Sequence, residues 1–153
     1  MAHTVDKLLT VAKGEVGYLE KKSKKNLNSK TKNAGSNNYT KYGAYFGING
    51  PDAYWCDMFV DWCMVQAYGR DVAKKLLHGF SAYTPTSAQK FKDNDQWHKT
   101  PRIGDQIFFK NSQRICHTGI VYAVRWCSQS RATPLMEQPL YQTVVLYARS
   151  LML

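Results

Sequence analysis

The sequence predicts an α+β fold, helices packed on an antiparallel β-sheet. Helical apolar spacing fills roughly the first two thirds of the chain, whereas strand-like runs bounded by turn residues fill the rest. Size sets the domain count: 153 residues, 44% of them hydrophobic and 21% charged, make one buried core and are too few for two. The same composition excludes disordered, collagen-like and coiled-coil classes, so residues 1–153 read as a single domain.

Thr4 stands where a helix cap is wanted, and Val5, Leu8, Leu9, Ala12 and Val16 follow at helical spacing up to Gly17. A polar, lysine-rich segment separates this helix from a cluster of aromatics, Tyr39, Tyr42, Tyr45 and Phe46, that suits a short helix or turn closed by Gly47 and Gly50. In AYWCDMFVDWCMVQAYG, the residues Cys56, Phe59, Val60, Cys63, Met64 and Ala67 form one helical stripe, with Asp57 and Asp61 together on another face and Gly69 as the stop. This helix is central to the fold. Residues 72–77 suit a further turn or two, and Thr84 followed by Pro85 opens a helix running toward Lys92. After Pro101 the pattern changes to strands at residues 104–110, 117–124 and 143–149, the first two joined by a polar turn over residues 111–114.

The net charge is +10, from 21 Lys and Arg against 11 Asp and Glu, which points to an acidic partner. Between Lys21 and Lys41 lie, counting both, seven lysines and no acid. Such a stretch can follow nucleic-acid phosphates, bind the anionic polymers of a bacterial wall, or simply be a solvated loop. No run of about 18 apolar residues exists, and Asp6 interrupts any signal-like stretch. The expectation is synthesis in the cytoplasm without a recognisable signal peptide, no membrane span, and a monomer.

Cys56, Cys63, Cys116 and Cys127 lack zinc-type spacing. Cys56 and Cys63 would lie roughly 10 Å apart along one helix, beyond disulfide reach, so free thiols, no metal and no cofactor are expected. Cys56 falls in the first turn of the central helix, where main-chain N–H groups and the helix dipole favour a thiolate. His117 opens a strand on which it shares a face with Gly119, Val121 and Ala123, while Cys116, Thr118, Ile120 and Tyr122 take the other. If the His117 face packs on the central helix, the imidazole approaches the Cys56 sulfur. Such a pair makes a nucleophile at neutral pH and returns the proton to a leaving amine. His3, His78 and His98 lie near a terminus or in loops without a cysteine partner.

The blocks YWCDMFVDWC, GFSAYTPTSAQKF, PRIGDQIFFK and RICHTGIVYAV, in this order over residues 4–124, resemble the CHAP family of cysteine amidases and peptidases, within the NlpC/P60 papain-like group. Among these, the CHAP proteins of phage and prophage lysis systems are the most similar. The resemblance implies a papain-like fold and peptidoglycan hydrolysis, an endolysin-like and so antimicrobial activity at the bacterial cell wall. Cys56 would attack an amide carbonyl of the stem peptide or of its link to muramic acid, and His117 would be the base. The Cys56 N–H is a natural oxyanion donor, and Tyr54 and Trp55 are candidates for the substrate groove wall.

The likeness stops after the histidine strand. The family carries a third polar residue there, often within Glu-Gly-Asn-Thr, whereas this chain reads RWCSQSRATPLMEQPLYQ. Glu137, the only acid after Asp105, stands between Pro134 and Pro139, poor company for a central strand. Residues 130–135 can be encoded TCG AGG GCA ACA CCT CTN. From its third base this reads Glu-Gly-Asn-Thr-Ser, so a shifted reading frame over residues 125–143 is the hypothesis, and codons incompatible with that second reading would end it. Two other readings remain at this point: a basic module binding wall or nucleic acid with structural Cys and His, and an inactivated CHAP homologue.

Overall fold

The computed structural model describes residues 4–124 and 144–148. Among them run five helices, α1 (Val5–Gly14), α2 (Lys41–Tyr45), α3 (Cys56–Tyr68), α4 (Arg70–Leu76) and α5 (Thr84–Asp93). Four strands follow, β1 (Trp97–His98), β2 (Gln106–Lys110), β3 (Ile115–Ile120) and β4 (Val144–Ala148). The strands form one antiparallel sheet in the order β1-β4-β2-β3. The class is α+β, as the patterning predicts. β1 is new: two residues carry no readable period, and they pair only with β4, far away in sequence. His98 therefore lies in a strand rather than a loop.

α1 buries Leu8 and Leu9, with Asp6 in its first turn and Lys13 in its last, both favourable to the helix dipole. It ends at Gly14, short of Gly17. The Thr4 side chain makes no cap bond; its carbonyl instead accepts from the Tyr68 hydroxyl at 2.9 Å, tying α1 to α3. α2 does carry a side-chain cap, Thr40 Oγ1 accepting from Gly43 N at 3.0 Å.

α3 is surrounded by α1, α2, α4, α5 and β3. A helix so enclosed buries more than one stripe. Asp57 and Asp61 sit inside with Val60, Cys63 and Met64, only 0% and 2% exposed, so the second face is no solvent face. Gly69 at φ +84° ends the helix as expected, and α4 begins at the next residue. α5 starts at Thr84 itself, with Tyr83 as the cap residue; the Thr84 hydroxyl is used elsewhere. Phe91 and Phe108 meet between α5 and the sheet, 6.1 Å between ring centres, and each such burial contributes about 1.5 to 3 kcal/mol relative to exposure.

The lysine-rich segment is not a free loop. Lys21 is fully buried, its ammonium donating to the carbonyls of Leu19 and Lys30 and lying 4.4 Å from the Tyr18 ring centre. Its main-chain N–H donates to Tyr39 O at 2.8 Å, and Gly35 N donates to Glu20 O at 3.0 Å. Lys41 pairs with Glu15 at 2.6 Å. Neither end lysine is a surface charge free for a polyanion; Lys22, Lys24, Lys25, Lys30 and Lys32 are exposed.

Candidate active site

The entry to α3 is fixed by aromatic packing. Tyr42, 1% exposed, lies against Trp55, Phe59, Trp62 and Tyr18 with ring centres 4.9 to 5.6 Å apart. Its hydroxyl donates to Glu15 at 2.8 Å, and the Trp55 indole N–H donates to Glu20 at 2.7 Å. Trp55 is thereby pinned as the residue before the helix, and its carbonyl accepts from Phe59 N at 2.8 Å. Cys56 becomes the first helical residue, partly buried, with Sγ 3.8 Å from Thr84 Oγ1.

The helix terminus does not make this thiol acidic. Burial pushes its pKa above the ordinary value; the Thr84 hydroxyl and the main-chain N–H groups of Asp57 and Thr118 pull it down, and the Asp57 charge pushes it up again. Desolvation of a thiolate outweighs the dipole here. The expected thiolate is replaced by a neutral thiol.

His117 pairs with Phe109 across the β2–β3 ladder, ring centres 5.7 Å apart at an interplanar angle of 32°. Burial pushes its imidazole below the ordinary value, so it is a neutral base at pH 7. The register shifts between Phe109 and Lys110, leaving Cys116 as an extra residue between Ile115 and His117. This bulge breaks the alternation read from the sequence. The inward residues of β3 are Ile115 and Thr118, whereas Cys116 and His117 are exposed. His117 therefore does not lie on the strand's buried face.

β3 is nevertheless the edge of the described sheet, and residues 116–119 border a cavity of about 500 Å³ in succession. Cys56, Tyr54 and Trp55 border it from the start of α3, and Glu15, Tyr42 and Phe59 from the aromatic cluster. Cys56, His117, Tyr54 and Trp55 thus meet at one cavity. Tyr54 is 70% exposed at its rim. Glu15, Tyr42 and Cys116 were not singled out by sequence reasoning. Glu15 and Tyr42 meet across 27 residues of chain, and only the aromatic richness before Gly47 hinted at Tyr42. Glu137, Cys127 and the shifted-frame segment lie outside the described residues. Among the described residues no three His, Cys, Asp or Glu side chains converge as metal ligands would, and no helix is long and apolar enough to cross a membrane.

Compared with known families, residues 48–131 match the CHAP domain. No curated protein and no solved structure matches the chain. The CHAP domain generally denotes peptidoglycan hydrolysis, typically by amidases or peptidases that use cysteine and histidine. The matched span is more than half the chain and holds Cys56 and His117, which both border the cavity; the protein belongs to the CHAP domain family.

Proposed function

We propose that this chain is a cysteine peptidoglycan hydrolase of papain-like design that cleaves an amide of the wall's stem peptide or its link to muramic acid. The observation that carries the reading is the shared cavity of Cys56 and His117 in a chain of this family. The neutral imidazole of His117 takes the thiol proton as the Cys56 sulfur bonds to the amide carbonyl carbon. The carbonyl oxygen becomes an oxyanion facing the Cys56 main-chain N–H, which has no acceptor within the helix. The C–N bond then breaks, the imidazolium gives its proton to the leaving amine, and water releases the acyl group from sulfur by the same steps. Tyr54 and Trp55 form part of the groove wall.

Lys22, Lys24, Lys25, Lys30 and Lys32 would supply attraction to anionic wall polymers, an attraction that salt screens. The proposed place of action is the bacterial cell wall, after synthesis in the cytoplasm, as in an endolysin. One experiment on purified walls tests both parts. The chain should clear them, Cys56→Ala should not, and the inactive variant should stay bound at low salt and leave at high salt. Clearing that survives the substitution sinks the nucleophile assignment; salt-independent binding sinks the electrostatic one. Mass spectrometry of the products separates amidase from endopeptidase cleavage.

A further inference from the structure

A buried polar chain links the nucleophile's helix to the histidine's strand. The Thr118 hydroxyl donates to Ile107 O at 2.8 Å, so its oxygen accepts, here from Gln106 Nε2 at 3.0 Å. The second hydrogen of that amide goes to Asp57 Oδ1 at 3.1 Å, and Ser87 Oγ donates to Asp57 Oδ2 at 2.6 Å. All four side chains are buried, with Asp57 at 0% and Thr118 at 2% exposure. Gln106 Oε1 is left without a partner. Reversing the amide would not relieve this without turning its oxygen onto the Asp57 carboxylate, so Asp57 and Thr118 together fix the orientation. Asp57 follows Cys56 on α3, and Thr118 follows His117 on β3. The Thr118 main-chain N–H helps to pull the pKa of the Cys56 thiol down.

We propose that Asp57 is a positioning residue: through Gln106 and Thr118 it holds β3 at a fixed distance from the first turn of α3, and so holds the His117 ring against the Cys56 thiol. Nothing else among the described polar contacts of this site joins the two elements side chain to side chain. The inference rests on the Cys56–His117 reading proposed above. Asp57 does not touch the reacting atoms, and its effect is on geometry.

The test isolates the coupling between thiol and ring and needs no wall substrate. The rate at which iodoacetamide alkylates Cys56 at pH 7.5 is read on the Cys56 peptide by mass spectrometry. It is measured in the unaltered chain, His117→Ala, Asp57→Asn and the double variant, a cycle that cancels the direct effect of the Asp57 charge on sulfur. His117 should speed alkylation about tenfold or more in the unaltered chain, and this ratio should fall to about one or two in the Asp57→Asn background. Gln106→Leu, which leaves the carboxylate in place, should collapse the ratio in the same way and carries the test if Asp57→Asn fails to fold. Asp61→Asn, on the same helix but hydrogen-bonded to Ser81 N, should leave the ratio intact. An undiminished ratio in both Asp57→Asn and Gln106→Leu overturns the positioning role while the Cys–His pair stands. A ratio near one in the unaltered chain removes the pair itself, and this inference with it.

Discussion

In the proposed mechanism the thiol, made less acidic by burial, is deprotonated by His117, which suits the task because burial pushes its own pKa down, leaving it unprotonated at pH 7. The sign for activity follows. The base form grows as pH rises, so the acid limb of the wall-lysis profile should lie below the ordinary imidazole value of about 6.5. A limb above 7, measured on walls at constant ionic strength, would contradict this assignment. Cys56 and His117, which border one cavity, stand out in the sequence because a Cys at a helix start and a His at a strand start are local signals, and a family pattern joins them. Asp57 was not. An acid beside another acid four residues on reads as a wet helix face, and the partners of its carboxylate among the described residues, Ser87 and Gln106, lie 30 and 49 residues away.

α1 and α3 were legible to within a few residues because each keeps a 3.6-residue apolar period, α5 because Thr84 and Pro85 mark its start, and the two longer early strands because each is bounded by turn residues. What failed was the phase of β3. Strict alternation puts Cys116 on one face with Thr118, but the bulge at Cys116 inserts a residue that no local pattern announces, and of the two only Thr118 is inward. α2 matters beyond its length, since its five residues carry Tyr42 into the aromatic cluster behind the cavity. Its stability leans on the Thr40 hydroxyl, which is buried along with its Gly43 partner. Thr40→Ala should therefore cost about 1 kcal/mol, read as a lower denaturant midpoint at unchanged m-value. No shift in midpoint would mean that the cap is dispensable.

Across the whole molecule, the two enclosed carboxyls of α3 set how stability varies with pH. Burial raises Asp57 from 3.8 to about 6 and Asp61 from 3.8 to about 8, with the Asp57 charge adding to the second. The folded state thus holds these protons more tightly than the unfolded chain, and stability falls as pH climbs from about 4 to about 8. Melting should come several degrees lower at pH 8.5 than at pH 5.5, and Asp61→Asn should flatten the difference. His117 acts in the opposite sense below pH 6.5, but with its ring exposed it contributes less. A melting temperature that rises steadily over this interval would show the carboxyls ionised without penalty. The sheet order carries a different consequence. Because β4 lies between β1 and β2, a nascent chain that has exposed everything through β3 still has a gap in its sheet, with β2 open along one side. Assembly of the sheet waits for residues 144–148 to leave the ribosome, so a ribosome stalled before them would display a sticky, half-built product to the cell's chaperones and proteases.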